Sequence, residues 1–135
     1  EITPLQPPGN NTPITILVRA QNEAEKPYTV TVRRPLPSSD DKLKALSVVP
    51  GILDPPFDAN VAVYTVIDIP PGTPSVSVTA TKSDVNAVML IGSEIVPAGV
   101  ETGQVSVQVG ITATVTIVVT AQNGVDSETY TVTVP

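Results

Sequence analysis

The sequence predicts an all-β fold, an antiparallel β-sandwich with Greek-key connections, and three observations predict it. First, 41% of the residues are hydrophobic but only 3% are aromatic, so Val, Ile, Leu and Ala carry the apolar weight. Branching at Cβ suits a pleated sheet better than a helix. Second, fifteen prolines and eight glycines are scattered along the chain, and no long window combines helical periodicity with freedom from strand signals. Third, about seven short stretches of alternating apolar and polar residues recur at spacings typical of sandwiches, each bounded by turn residues.

The clearest alternation runs from Thr114 to Ala121, with Val115, Ile117, Val119 and Ala121 on one face and Thr114, Thr116, Val118 and Thr120 on the other. Its hairpin partner is Thr129 to Val134, where Tyr130, Val132 and Val134 are expected inside and the threonines outside. The same reading places Val76, Val78 and Ala80 inward in Ser75 to Thr81, and Val105, Val107 and Val109 inward in Gln104 to Val109. Less regular strands are expected at Leu46 to Val49, Val63 to Ile69, Ala87 to Ile91 and Glu94 to Val96. Threonine-rich strands of this kind have one buried and one wet face, the pattern of an immunoglobulin-like sandwich.

Comparison of the chain with itself sets the expected domain boundaries. Residues 9 to 22 read GNNTPITILVRAQN and residues 110 to 123 read GITATVTIVVTAQN, while Tyr28 to Val32 and Tyr130 to Val134 are both YTVTV. The stretch between the matches, Glu23 to Pro27 against Gly124 to Thr129, differs by one residue, as a hairpin loop allows. A period near one hundred residues is that of a sandwich domain, well beyond a solenoid repeat. Residues 1–34 are therefore expected to be the C-terminal hairpin of a preceding repeat. Residues 35–41 (PLPSSDD) read as a linker, and residues 42–135 as one complete repeat. The chain opens Glu1-Ile2-Thr3-Pro4 without a basic start or an apolar stretch, which suggests a piece of a longer protein.

Charge and composition narrow the function. With no Cys and no His, disulfides, zinc-thiolate sites, thiol nucleophiles and Ser-His-Asp triads are excluded. A net charge of −6 disfavours nucleic acid and anionic lipid, Arg33-Arg34 being too small a cluster for phosphate. The apolar runs are too short for membrane insertion. Paired carboxylates could serve a glycosidase, but Asp54, Asp58, Asp68, Asp84, Glu94, Glu101, Asp126 and Glu128 fall in separate segments, so no catalytic residue is assigned and no enzyme is expected. For calcium, Asp40 with Asp41, Asp58 with Asn60, and Asp84 with Asn86 lack the ligand density a hard cation needs. They are read as linker solvation and turn hydrogen bonds, and no metal or cofactor is assigned. An aromatic glycan platform is disfavoured: there is no Trp, and Tyr28, Tyr64 and Tyr130 begin strands, where each ring should pack at a sandwich edge with its hydroxyl bonded to backbone. Phe57 should anchor the Pro55-Pro56 loop to the core.

The complete repeat resembles the bacterial cadherin-like β-sandwich family. The residues that carry the resemblance are Leu43, Leu46 and Val48; Leu53, Pro56, Phe57, Asp58, Asn60, Tyr64, Thr65 and Val66; Val119, Thr120, Ala121, Asn123 and Gly124; and Tyr130, Val132 and Val134. Gly51 to Pro56 is longer than the usual approach to the family's proline, which affects loop shape. The resemblance implies a non-catalytic structural or adhesion module, displayed in tandem at a bacterial cell surface or secreted, with neighbouring repeats as partners. The alternative is a module that recognises a glycan or a protein through its end loops. The incomplete hairpin exposes Ile14, Ile16, Val18, Tyr28, Val30 and Val32, a face to be covered either by docking on the complete repeat of the same chain or, the favoured option, by homo-oligomer formation through that hairpin.

Overall fold

A computed structural model describes Pro4 and residues 6–135. The described residues form eleven strands and no helix, in two compact units, residues 1–37 and 38–135.

The first unit is built on one hairpin, β1 (Asn11–Arg19) and β2 (Glu25–Arg33), in a register that sets Ile14 opposite Val30 and Ile16 opposite Tyr28. Two bonds close its loop: the Ala20 N–H donates to the Ala24 carbonyl at 2.7 Å, and the Ala24 N–H donates to Asn22 Oδ1 at 3.1 Å. Between them Glu23 takes a left-handed φ of 69°. Ahead of the hairpin, the Thr12 hydroxyl accepts from the Gln6 N–H at 2.7 Å and is itself buried.

The second unit is a sandwich. A small sheet has the order β3-β6-β9, with β3 at Leu43–Val49, β6 at Ser75–Lys82 and β9 at Thr102–Gln108. A larger sheet has the order β4-β5-β11-β10-β7-β8, from β4 (Ile52–Asp54), β5 (Val63–Ile67), β7 (Val88–Ile91), β8 (Glu94–Val96), β10 (Ala113–Thr120) and β11 (Ser127–Val134). The chain passes repeatedly from one sheet to the other, and every pairing is antiparallel except β5 with β11.

The alternation read from the sequence sorts the side chains as expected. Ile117, Val119, Tyr130, Val132 and Val134 are fully buried, together with Val76, Val78 and Ala80 from the opposite sheet. Val105 and Val109 reach the core only in part, with Val107 buried between them. These aliphatic side chains, with Leu43, Tyr64, Met89 and Ile91, make one core, and their burial contributes roughly 1.5–3 kcal/mol for each large side chain.

Strand ends shift by up to three residues, as at β3, expected from Leu46 and starting at Leu43, and three further details depart from the sequence reading. Ile52–Asp54, read as loop, is the short edge strand β4 paired with β5, the place where the longer approach to Pro56 is taken up. The strand expected to start at Gln104 starts at Thr102 and includes Gly103, where a Cβ would lie 2.4 Å from Val96 Cγ2 and 3.1 Å from both Ile91 and Met89. Only glycine lets β9 pass that close to the opposite sheet. The stretch Ser38 to Asp41, read as the end of a linker, belongs to the second unit: the Ser38 N–H donates to Gln122 Oε1 at 3.0 Å, and the Asn123 N–H to the Ser38 carbonyl at 3.1 Å.

Candidate functional site

The carboxylates do not converge. Among the described residues, no group of three or more acids, histidines or cysteines could hold a metal ion. Several of the candidates have a local task instead, while no side-chain hydrogen bond or ion pair is made by Asp54, Asp68 or Glu94 among the described residues. Asp58 Oδ1 accepts from the Asn60 N–H and Asp84 Oδ1 from the Asn86 N–H, both at 2.9 Å, the turn bonds expected of Asx residues. Asp126 Oδ2 accepts from Asn123 Nδ2 at 2.7 Å. Asp40 and Asp41 correct the sequence reading, in which they only solvate a linker. Asp40 accepts from the Lys42 N–H at 3.0 Å and from the Ser83 hydroxyl at 2.7 Å, and Asp41 lies 3.8 Å from the Lys42 ammonium.

Two of the three tyrosines behave as expected. The Tyr64 hydroxyl donates to the Asp58 carbonyl at 2.6 Å and accepts from the Asp58 N–H at 3.2 Å, closing the loop before β5; its ring lies 6.2 Å from that of Phe57, which packs against the core. The Tyr130 hydroxyl donates to the Ala59 carbonyl at 2.8 Å and accepts from the Leu43 N–H at 3.3 Å, tying β11 to the first strand of the repeat. Burial pushes the Tyr130 hydroxyl above the ordinary tyrosine pKa, opposed by the Leu43 N–H and by Lys42. Tyr28 is different. It is half exposed, with the Lys26 ammonium 5.4 Å from its ring centre, because among the described residues of its unit no second sheet lies over that hairpin.

At the start of β3, the Lys42 ammonium donates to Glu128 Oε2 at 2.8 Å. That hydrogen bond raises the Lys42 pKa, against partial desolvation and with help from Glu128 and Asp41 charge.

Sequence reasoning missed Lys82. Its side chain is fully buried, and its ammonium donates to the carbonyls of Ala87 (2.5 Å) and Pro97 (2.9 Å), with those of Val85 and Val96 at 3.5 Å. One cation thus pins the loop after β6 to the loop after β8. Burial lowers the Lys82 pKa, and Asp84 opposes the shift. The signal was present: Val76, Val78 and Ala80 point inward, and the same alternation carried one step further puts Lys82 inward too.

Two grooves open along the sides of the sandwich. One, of about 510 Å³, has Ser93, Glu94, Gln104, Ser106, Gln108 and Thr114 among its polar lining residues. The other, of about 370 Å³, lies between β3 and β4 and is walled by Leu46, Val48, Ile52, Leu53, Pro56 and Phe57. In the first groove Glu94 shares the lining with the hydroxyls of Ser93, Ser106 and Thr114, but no hydrogen bond joins its carboxylate to any of them.

A sandwich of this topology, pinned by hydroxyl and ammonium contacts to backbone, defines the class of protein. The family model described as the cadherin-like beta sandwich domain matches residues 43–135, and the chain belongs to that family. Domains of the family are in general structural and adhesive modules, not enzymes, and are typically extracellular. Comparison with curated proteins and with solved structures gives no match. No helix among the described residues is long and apolar enough to cross a membrane.

Proposed function

We propose that this chain is a non-catalytic structural and adhesion module from a tandem-repeat bacterial surface or secreted protein. In this reading residues 1–34 are the closing hairpin of one repeat, residues 35–41, of which Ser38 to Asp41 already pack with the second unit, join it to the next, and residues 42–135 are that next repeat. The observation that carries the reading is the duplicated hairpin. Ile16 faces Tyr28 in β1–β2 as Ile117 faces Tyr130 in β10–β11, and Ile14 faces Val30 as Val115 faces Val132. Two hairpins of similar sequence and one register in a single chain are what successive repeats would contribute, and among the described residues of its own unit the first has no strands of the kind that cover the second. Extended series of such sandwiches serve as spacers, because each unit has its own core and charges gathered in its loops keep it soluble.

An antibody raised against residues 38–135 tests the reading. It should label intact cells of the source organism, lose that signal after external protease, and detect a polypeptide larger than this chain. Labelling only after permeabilisation would overturn the surface assignment. The polar groove beside β9 supports a second reading, recognition of a neutral glycan through hydroxyl and amide groups. Saturable binding on a glycan array, lost in Gln104→Ala, would favour it over a purely structural role.

A further inference from the structure

If the first hairpin closes a repeat, the strands that cover it must fit its inner face, and that face differs from the second hairpin in one telling respect. Aligned through their common register, Ile16 matches Ile117, Val18 matches Val119, Tyr28 matches Tyr130, and Val30 and Val32 match Val132 and Val134. The position opposite Val18 is Lys26, whereas the position opposite Val119 is Glu128. Glu128 receives the Lys42 ammonium at 2.8 Å, at the point where β3 begins. The charge at this place is therefore reversed between two faces that otherwise match closely, with Ile14 at the place of Val115 and Thr12 at the place of Ala113.

We infer that Lys26 and Glu128 are specificity-determining residues that match each hairpin to its own strand set, and that the partner of β1–β2 is the strand set of another repeat whose first strand opens on a carboxylate where this repeat has Lys42. The inference rests on the tandem-repeat reading. Its physical content is repulsion against the wrong partner. A β1–β2 hairpin exchanged into the place of β10–β11, in the same chain or in a second copy, would set the Lys26 ammonium against the Lys42 ammonium and remove the hydrogen bond Lys42 now makes. Asp41, 3.8 Å from Lys42, offsets only part of that. Repeats with nearly identical closing hairpins are prone to strand exchange, and one reversed ion pair at the rim penalises it without altering the core. The ion pair is partly exposed, the Lys42 and Glu128 side chains being 39% and 33% accessible, so the discrimination is modest for one pair and accumulates along an array.

The test transplants the hairpin. In the full chain, residues 110–135 are replaced by residues 9–33, and the folding equilibrium of the second unit is measured in urea. With Lys26→Glu in the transplanted copy, the folding constant should rise about fivefold, the order expected for an exposed ion pair regained. Lys42→Glu should stabilise the transplanted chain and destabilise the parent chain, and salt at about 1 M should shrink both effects. Equal effects of Lys42→Glu in the two chains would overturn the pairing rule and leave the tandem-repeat reading intact. A second unit that stays unfolded in the unaltered transplant, in its Lys26→Glu variant and in its Lys42→Glu variant would show that the first hairpin cannot close a repeat, and would overturn both.

Discussion

The hairpins β1–β2 and β10–β11 share sequence and register but differ in what covers them. Ile16 and Tyr28 are 50% and 48% exposed, whereas Ile117 and Tyr130 are fully buried. The difference teaches that the local code for this element, alternation plus a short loop, specifies the hairpin and which face is apolar. It does not supply the stability. That comes from the small sheet β3-β6-β9, against which the inner face of β10–β11 packs, and from the neighbours β7 and β5 at its edges. A two-stranded hairpin alone is marginal in water, so the same residues should be worth very different amounts in the two places.

The largest test of that statement is a matched pair of truncations. Ile117→Ala should destabilise the second unit by roughly 2–5 kcal/mol in urea denaturation, while Ile16→Ala should change its stability by less than about 0.5 kcal/mol. Equal costs would break the comparison. Next comes the cover itself. Lys82→Met removes the donor from the Ala87 and Pro97 carbonyls, and should cost roughly 2–4 kcal/mol in the second unit while leaving amide exchange in β1–β2 unchanged.

Smaller effects sharpen the tyrosine contrast. Tyr130→Phe strands the Leu43 N–H and the Ala59 carbonyl and should cost roughly 1–3 kcal/mol, whereas Tyr28→Phe should be close to neutral. The same hydroxyl has a pH signature. Its pKa in the folded chain is raised above 10.0, chiefly by burial. Between the unfolded and folded values the native state holds a proton that the unfolded chain has released, so this contribution is complete below about pH 10 and is lost as pH rises through the folded value. Lys42, also raised, acts in the same direction, and Lys82, lowered, acts in the opposite one. Both remain in Tyr130→Phe, Lys42 losing only the smallest cause of its shift, the Tyr130 charge, so the difference between the two proteins above about pH 10 reports mainly the tyrosine, and the variant should lose stability less steeply. Thr116→Ala, on the outer face of β10, should have the smallest effect, within about 0.5 kcal/mol.

Much of the sandwich was legible because one buried face imposes a period of two, and Val115 to Ala121 and Tyr130 to Val134 keep that period without interruption. Three kinds of feature were not. Ile52–Asp54 is too short to show a period, and it is flanked by Gly51 and Pro55, which read as loop. Gly103 and Lys82 sit at inward positions of regular strands, but a glycine and a lysine carry no hydrophobic signal; what places them is proximity to Val96 in one case and a cluster of carbonyls in the other. The acids read as solvating or turn residues, yet Asp40 takes up Ser83, forty-three positions away, a contact that depends on the folded sandwich. Tyr28 shows the opposite limit: it opens the same YTVTV as Tyr130, preceded by Lys26-Pro27 where Tyr130 has Glu128-Thr129, and among the described residues of its unit no second sheet covers it.

Amide hydrogen exchange on the full chain, combined with sedimentation, tests the central claim most directly. In place of the homo-oligomer expected from the exposed hairpin, the account predicts a monomer in which the amides of residues 115–119 exchange only on unfolding of the second unit, while those of residues 14–18 exchange orders of magnitude faster through local opening of an uncovered hairpin. Equal protection of the two segments, in a monomer or in an oligomer, would contradict it.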